Sequence, residues 1–207
     1  MKANLVLAEK ARLREEILRK RNLISPEVRA QKSLAIMERL YKLQEFRSAR
    51  LLHIFVSFGS EAYTGDIIKN SLKEGKRVVV PIIENHARRL IFSEITDYDL
   101  DLAPGHWGIL EPKKDAAKFI DPDHLDLILA PGVAFDASCR RLGHGAGYYD
   151  KLLAGCKDRP LTIGLAYEMQ VVDEVPVMEY DVNIDGVITE ERLIKVKGKS
   201  SNYKFDI

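Results

Sequence analysis

The chain has 207 residues, of which 46% are hydrophobic and 30% charged, and its 32 basic and 31 acidic residues give a formal net charge of +1. This length suits one folded domain, and this composition argues against disorder over most of the chain. The balance of charge argues against a dedicated nucleic-acid-binding protein, because such proteins usually carry a basic excess.

The chain begins with predicted helices and continues as alternating strands and helices. Charged and apolar residues interleave at helical spacing through the first part of the sequence, which predicts helix. Ser25 and Pro26 suit the N-cap and first position of a second helix, which we expect to reach about Tyr41. From residue 50 the period changes, so that 51–58 is a predicted strand and 64–73 a short helix.

The second half of the chain carries the same alternation. The later predicted elements are a helix that includes 150–153 and strands at 77–83, 89–95, 125–132, 161–167 and 185–189. The apolar run LDLILAPG over 125–132 is typical of strands that are buried on both faces, as in a parallel sheet.

These elements predict an α/β fold, because strands alternate with helices. We expect a single Rossmann-like domain over 1–195, with three layers and a mainly parallel central sheet flanked by helices. The residues over 196–207 are polar and form a predicted loosely held tail.

The composition also limits the cellular setting. Cys139 and Cys156 have no partners at zinc spacing, which suggests neither a disulfide framework nor a structural zinc site. The sequence shows no apolar run long enough to cross a membrane and no signal-peptide core at its start. We therefore expect a cytoplasmic protein without membrane or nucleic-acid partners.

The segment RRLGHGAGYYDKLL, residues 140–153, lies between a predicted buried strand and a predicted helix. In open α/β sheets ligands bind beyond the carboxyl ends of the strands. Gly143, Gly145 and Gly147 let backbone N–H groups approach a ligand closely, and the helix amino terminus that follows favours phosphate. The segment is therefore a candidate anion-binding loop.

Charged side chains around the loop fit the same hypothesis. Arg140, Arg141 and Lys151 could supply charge-assisted hydrogen bonds, and Asp150 in the first helical turn could hold Mg²⁺ on bound phosphates. The spacing matches neither the Walker pattern nor the dinucleotide fingerprint, so a structural turn stays open. Asp150 could equally be a helix-dipole partner, and the adjacent tyrosines core aromatics.

The segment LILAPGVAFDASCRRLGHGAGYYDKLL, residues 127–153, resembles the signature of the 5-formyltetrahydrofolate cyclo-ligase family. Further motifs of that family occur in the right order along most of the chain. They are Lys10 with Arg14, Glu61 with Thr64, GKRVVVPII over 75–83, GILEP over 108–112, and Val175-Pro176 with Asp185. Because several short motifs agree in order, the resemblance is more specific than any one of them.

Three positions depart from the family pattern. Cys139 stands where glycine is usual, His144 where Arg or Tyr is frequent, and Ala146 where Lys or Gly is common. Without that lysine one potential phosphate contact is missing, so we expect nucleotide affinity or substrate preference to differ from the family's. The backbone loop itself is unaffected by these changes.

The resemblance implies an ATP- and Mg²⁺-dependent ligase that converts 5-formyltetrahydrofolate to 5,10-methenyltetrahydrofolate and releases ADP and phosphate. The formyl oxygen is a poor leaving group, and its phosphorylation gives an iminium phosphate that the neighbouring folate nitrogen attacks. Such chemistry needs positioned phosphates and charge neutralisation rather than a protein nucleophile. ATP and a reduced folate are the implied partners, bound by a monomer or small homo-oligomer.

The resemblance also implies site residues. Catalytic roles fall on Lys10, Arg141 and Tyr149, and Mg²⁺ ligation on Asp150 and Asp185. Nucleotide contacts fall on Lys10, Arg14, Arg141, Leu142, Gly143, His144, Gly145, Ala146, Gly147, Tyr148 and Tyr149. Substrate contacts fall on Glu61, Trp107, His144, Gly145, Ala146, Gly147 and Tyr148.

Purely structural roles for some of these residues remain open. Lys10 and Arg14 lie one helical turn apart and share a face, which a solvated basic helix would also show. Glu61 could be an exposed loop acid, and Trp107 could pack in the core. Two further functions are also open: a non-catalytic nucleotide- or folate-binding module, and an ATP-dependent enzyme acting on another pterin or N-formyl compound.

Overall fold

The computed structural model describes residues 2–84, 87, 89–105, 108–113 and 117–196. The α-helices of this part are α1 (Lys2–Asn22), α2 (Pro26–Lys42), α3 (Gln44–Ser48), α4 (Gly65–Lys73), α5 (Tyr98–Asp101) and α6 (Tyr148–Gly155). Its strands are β1 (Leu51–Ile54), β2 (Arg77–Glu84), β3 (Arg89–Ile95), β4 (Leu102–Pro104), β5 (Leu110–Pro112), β6 (Lys118–Ile120), β7 (Leu127–Ala130), β8 (Ala134–Asp136), β9 (Arg141–Leu142), β10 (Leu161–Leu165), β11 (Val171–Val172), β12 (Gly186–Ile188) and β13 (Leu193–Lys195).

The main sheet has eight strands in the order β13-β12-β10-β7-β1-β2-β3-β6. Its five central strands, β12 to β2 in that order, pair in parallel, whereas β13, β3 and β6 add antiparallel edges. The predicted parallel centre is confirmed, and the antiparallel edges make the sheet mixed. The carboxyl ends of the parallel strands share one edge, where β7 leads into the glycine-rich segment.

Helices cover both faces of this sheet. Along β7 the side chains alternate in direction, as the two-residue period of a strand requires. Leu127 and Leu129 join a buried cluster with residues of α2, α3 and α4, while Ile128 and Ala130 join another with residues of α6. The predicted three-layer arrangement is therefore confirmed, with its core on both sides of β7 and β1.

The sequence signals for helix ends correspond to the structure. The Ser25 side chain accepts a hydrogen bond from the Val28 N–H, and Pro26 occupies the first turn of α2. Gly75 follows α4 with a φ of +77°, a left-handed conformation that glycine adopts readily. The first strand is shorter than predicted, since β1 ends at Ile54.

A second, three-stranded sheet in the order β11-β8-β9 supports the start of the glycine-rich segment. The buried carboxylate of Asp136 accepts hydrogen bonds from the N–H groups of Ser138, Arg140 and Val175. Between β8 and β9, Cys139 has a φ of +55°, the only positive value at a non-glycine residue in the described part of the chain. The family's usual glycine at this position thus corresponds to a left-handed turn.

Some of the predictions concern residues that the structure does not describe, and one concerns membrane-spanning helices. Trp107 and the tail from residue 197 onward lie outside the described residues. The described helices include none with the length and apolar content that a membrane crossing requires.

Candidate active site

The glycine-rich loop, residues 143–147, joins β9 to the amino terminus of α6. Gly145 and Gly147 have φ values of +114° and +69°, which side-chain-bearing residues rarely adopt. His144, Gly145 and Ala146 are exposed at its tip. Because Gly147 is the N-cap, the first N–H groups of α6 lack intrahelical partners and are available at the loop.

Helix α1 brings two cations to this loop. The Arg14 Nε donates a hydrogen bond to the Gly143 carbonyl at 2.9 Å. One turn earlier Lys10 is 7% exposed and forms an ion pair with Asp181. The shared helix face that the sequence suggested is thus directed at the protein, beside the loop, and is not a solvated face.

Arg141 lies beneath the loop and is 6% exposed. Its Nη2 lies 3.0 Å from Asp150 Oδ2, and its guanidinium stacks over the Tyr149 ring at 5.3 Å. Among the described residues its Nε has no hydrogen-bond partner. The other oxygen of Asp150 accepts the Val182 N–H, which joins α6 to the segment that carries Asp181.

Asp181 and Asp185, in the segment before β12, have different surroundings. Asp181 accepts hydrogen bonds from Lys10 and from the Met178 N–H. Asp185 lies just before β12, at the amino edge of the sheet, and its two oxygens accept from Arg159 and from the Thr162 N–H. Burial raises the pKa of the Asp185 carboxyl.

The expected pairing of Asp185 with Asp150 is therefore not what the structure places at the loop. Asp185 is used to join β12 to β10 at the opposite edge, whereas Asp181 lies beside Lys10 and next to the residue that Asp150 contacts. Asp181, which lies four positions before Asp185, was not among the site residues predicted from the sequence. Residue type and closeness in sequence do not by themselves tell which of the two aspartates lies at which edge of the sheet.

A cavity of about 310 Å³ opens beside the loop. Its walls are mostly apolar, and its polar groups come from Glu61, Glu111, Arg141, the loop and the first turn of α6, which includes Asp150. The apolar lining includes Phe55, Val56, Pro81, Ile83, Leu90 and Ile109. The cavity explains the short β1, because the residues that follow Ile54 turn away from the sheet to form this wall.

Glu61 and His144 meet at the cavity. One oxygen of Glu61 accepts the Phe58 N–H at 2.9 Å, and the other lies 3.1 Å from His144 Nε2. The Glu61 side chain is 9% exposed, so it is not the exposed loop acid that the sequence left open. The contact joins the loop after β1 to the glycine-rich loop.

Tyr149 is held from the interior of the sheet. Its hydroxyl lies 2.9 Å from His53 Nε2, and His53 Nδ1 lies 3.2 Å from the Val79 carbonyl. A carbonyl only accepts, so Nδ1 carries the proton and Nε2 accepts from the tyrosine. Burial lowers the pKa of His53 to about 3 and raises the pKa of Tyr149. Both groups are therefore neutral near pH 7, and the Tyr149 hydroxyl is held in place by His53.

The remaining predicted loop residues divide by burial. Tyr148 and Ala146 line the cavity, together with Gly143, His144 and Gly147. The Leu142 side chain is 2% exposed in a separate apolar cluster, and its carbonyl accepts the Val133 N–H. Leu142 thus supports the start of the loop and offers no side chain to a ligand there.

A glycine loop at a helix amino terminus, with cations nearby and an apolar cavity with carboxylates beside it, is typical of α/β proteins that bind an anion next to a small organic ligand. Comparison with known proteins narrows this class. The profile of the 5-formyltetrahydrofolate cyclo-ligase family matches residues 6–190, and the chain belongs to this family.

Relatives and solved structures agree. The chain is 30% identical to 5-formyltetrahydrofolate cyclo-ligase of Mus musculus over 92% of this chain and 98% of that protein. It is 33% identical to a probable 5-formyltetrahydrofolate cyclo-ligase of Caenorhabditis elegans over 83% and 87%. The solution structure of 5,10-methenyltetrahydrofolate synthetase from Aquifex aeolicus superposes with a TM-score of 0.81 at 30% identity, covering 94% of this chain and 96% of that one.

Proposed function

We propose that the protein is an ATP-dependent ligase that cyclises 5-formyltetrahydrofolate to 5,10-methenyltetrahydrofolate, with release of ADP and phosphate. The observation that carries this proposal is the contact of Arg14 and Arg141 with the glycine-rich loop beside the Glu61 cavity, with Lys10 one helical turn from Arg14. An anion site and an organic-ligand pocket that share one loop suit a reaction between a nucleotide phosphate and a second substrate.

The loop has the features that phosphate binding needs. Arg141 offers a buried Nε with no partner among the described residues. A Cβ at Gly145 would lie 3.8 Å from Arg14 Cζ, in a backbone conformation that strains any side chain. The nucleotide would be held by the backbone of 143–147 and by Lys10, Arg14 and Arg141, with Tyr148 and Tyr149 supporting the loop.

Magnesium fits between the loop and the segment before β12. Among the described residues no three His, Cys, Asp or Glu side chains form a ready metal cluster. Mg²⁺ commonly takes one or two carboxylates and completes its shell with water and substrate phosphates. We assign these carboxylates to Asp150 and Asp181, and we assign Asp185 the structural role described above.

The cavity would hold the folate. Its apolar walls suit the faces of a pterin ring, and Glu61 would accept hydrogen bonds from the ring, with His144 and the loop backbone at the entrance. Trp107, outside the described residues, stays a candidate for the same pocket on the family resemblance alone.

Bound MgATP would supply the phosphoryl group that makes the formyl oxygen a good leaving group. The residues of this chain would position and neutralise rather than attack. Lys10 and Arg141 would balance charge on the phosphates, Glu61 would orient the pterin, and the apolar walls would exclude water from the activated substrate. The buried, neutral Tyr149 would fix the guanidinium of Arg141 through their stacked contact.

One assay tests the proposal. Purified protein is mixed with MgATP and 5-formyltetrahydrofolate, and the ultraviolet absorbance of the methenyl product is recorded with the phosphate released. We expect both signals in equal amounts. Nucleotide binding with neither signal would indicate a non-catalytic binding module, and ATP cleavage with only another N-formyl compound would indicate a different substrate.

The family resemblance and the fold also support a setting for this enzyme. We propose one catalytic domain over 1–195, followed by the polar tail, acting in the cytoplasm as a monomer or small homo-oligomer. Small-molecule substrates are its proposed partners, without nucleic acid or membrane. Sedimentation of the full chain, with and without MgATP, would give the oligomeric state directly.

A further inference from the structure

Glu111 of β5 is a polar group in the cavity wall that the proposed function leaves without a role. It belongs to the GILEP motif, and its side chain lines the cavity. Its Oε1 is buried and finds no hydrogen-bond partner among the described residues. Burying a carboxylate oxygen unpaired is unfavourable, so the arrangement indicates that a ligand completes it.

The fold holds this carboxylate in place. A Cβ on Gly105 would lie 2.6 Å from Glu111 Cδ and 2.7 Å from its Oε2, so the carboxyl group packs directly against the Gly105 backbone. The Gly105 N–H donates to the Ile109 carbonyl at 2.7 Å, which closes the turn between β4 and β5. The absence of a side chain at Gly105 therefore makes room for the carboxylate.

Glu61, the other glutamate of the cavity, is in a different state. Both of its oxygens are engaged, by the Phe58 N–H and by His144. A ligand must displace His144 or share an oxygen to bind Glu61, whereas the free oxygen of Glu111 needs only a donor. Asp150, the third carboxylate of the cavity, is also bonded at both oxygens, so Glu111 is the one of the three with an open acceptor oxygen among the described residues.

We infer that Glu111 is a second substrate-binding carboxylate, whose free oxygen accepts N–H donors of the pterin ring. This inference rests on the proposed function. The amino-oxo-pyrimidine half of a reduced pterin presents adjacent N–H and NH₂ donors at its edge, and its faces are apolar enough to pack between such residues as Pro81 and Ile83. Charge-assisted hydrogen bonds from this edge would select a pterin over other N-formyl compounds.

The test is binding of 5-formyltetrahydrofolate to Glu111→Gln, measured by titration calorimetry on the full chain. We expect the dissociation constant to rise at least about tenfold, or about 1.4 kcal/mol, because a charged acceptor is lost. The dissociation constant for MgATP and the unfolding temperature should stay unchanged, because Glu111 Oε1 has no hydrogen-bond partner among the described residues to lose. A wild-type-like folate affinity in this variant would overturn the inference.

Two comparisons separate substrate contact from a general charge effect. Glu84→Gln removes the same charge from the end of β2, where Glu84 pairs with Arg89 outside the cavity, and should leave folate affinity within about twofold. Gly105→Ala keeps the charge but displaces the carboxyl group, and should weaken folate binding like Glu111→Gln. Equal weakening in Glu84→Gln would contradict the assignment.

A ligand that has the pterin ring but lacks the tail of the folate tests whether Glu111 contacts the ring. Binding of 5-formyl-6-methyltetrahydropterin, which lacks the aminobenzoyl-glutamate tail, should show the same fold loss in Glu111→Gln. A loss seen only with the full folate would contradict ring recognition. Failure of the proposed function is distinct from either result, because wild-type protein would then neither bind 5-formyltetrahydrofolate nor form the methenyl product.

Discussion

The two edges of the central sheet use polar groups differently. At the amino edge, Asp126 accepts the N–H groups of Arg50 and Leu51 at the start of β1, and Asp185 accepts from Arg159 and Thr162. These carboxylates join neighbouring strands and are engaged by the protein itself. At the carboxyl edge, the cavity includes Arg141 Nε and Glu111 Oε1, both buried and without partners among the described residues.

The difference shows how a functional group can be recognised in a fold rich in buried charge. Burial alone does not separate the edges, because Asp185 is as enclosed as several residues of the site. Hydrogen-bonding capacity that the protein leaves unused occurs at the carboxyl edge, at Arg141 Nε and Glu111 Oε1, although Asp150 of that edge is bonded at both oxygens. An orphaned buried donor or acceptor is costly unless a ligand completes it. Substitutions at the two edges should therefore differ in whether they mainly change activity or stability.

The largest effect is expected at Asp150. Asp150→Asn keeps the size of the side chain but removes the charge, so kcat/KM for MgATP-dependent methenyl formation should fall about 100-fold or more. Initial rates over a range of Mg²⁺ concentrations measure this change. Asp181→Asn should act in the same direction, because we place its carboxylate in the same metal site.

Asp185→Ala is the matched change at the other edge. Its loss leaves the buried Thr162 N–H without a partner, so the free energy of unfolding should fall by about 1–3 kcal/mol. The folded fraction should keep the turnover of the wild type. If folded Asp185→Ala were inactive while Asp150→Asn was active, the two edges would have exchanged roles.

His53 lies next to the site, because it contacts Tyr149, but both of its ring nitrogens are bonded within the protein. It is therefore a buried group at the carboxyl edge with no capacity left for a ligand. Its pKa is lowered to about 3 in the folded protein, so protonation favours the unfolded state below its ordinary pKa of about 6.5. The stability associated with the neutral ring is present above pH 6.5 and is lost as the pH falls towards 3. Between pH 7 and pH 5 the loss should reach about 2 kcal/mol.

His53→Gln tests this assignment with a side chain that stays neutral. Its amide can still donate to the Val79 carbonyl and accept from Tyr149, so the fold should persist. Urea unfolding at pH 7 and pH 5 should show a smaller loss for the variant than for the wild type. Parallel pH profiles for the two proteins would show that His53 is not the buried neutral group described here.

Much of the framework could be predicted from the sequence because its signals are local. Ser25 and Pro26 start a helix through their own backbone geometry, and the apolar run over 125–132 indicates a strand buried on both faces. The order of buried strand, glycines and helix also placed a loop at the carboxyl edge of the sheet. Each of these depends on residues within a few positions of one another.

The parts that could not be predicted depend on tertiary contacts. Residues 55–58 are as suitable for a strand as β1 itself, and only the cavity beside them explains why the strand stops. Asp181 and Asp185 are equivalent by type and close in sequence, yet one meets Lys10 and the other Arg159. The unused capacity of Glu111 is visible only when every neighbour is known.

The smallest effect is expected at Cys139, where the chain turns into β9. The thiol is fully buried, and burial raises its pKa to about 12, so it packs as a neutral group. Its backbone is satisfied on both sides, since its N–H donates to the Asp136 carbonyl and its carbonyl accepts the Ile184 N–H. Both backbone polar groups of Cys139 are therefore bonded within the protein, and the residue has a structural role at the start of the loop.

Cys139→Gly and Cys139→Ala both remove the sulfur, and they differ in the φ of +55° that the turn requires. Alanine retains a methyl group that contributes about 0.8 kcal/mol when buried, but a left-handed conformation costs it about 1–2 kcal/mol. The glycine variant should therefore be the more stable by up to about 1 kcal/mol in urea unfolding, with both variants keeping wild-type turnover. A more stable alanine variant would mean that the backbone at this turn is not left-handed, and that the cysteine in place of the family's glycine carries no strain.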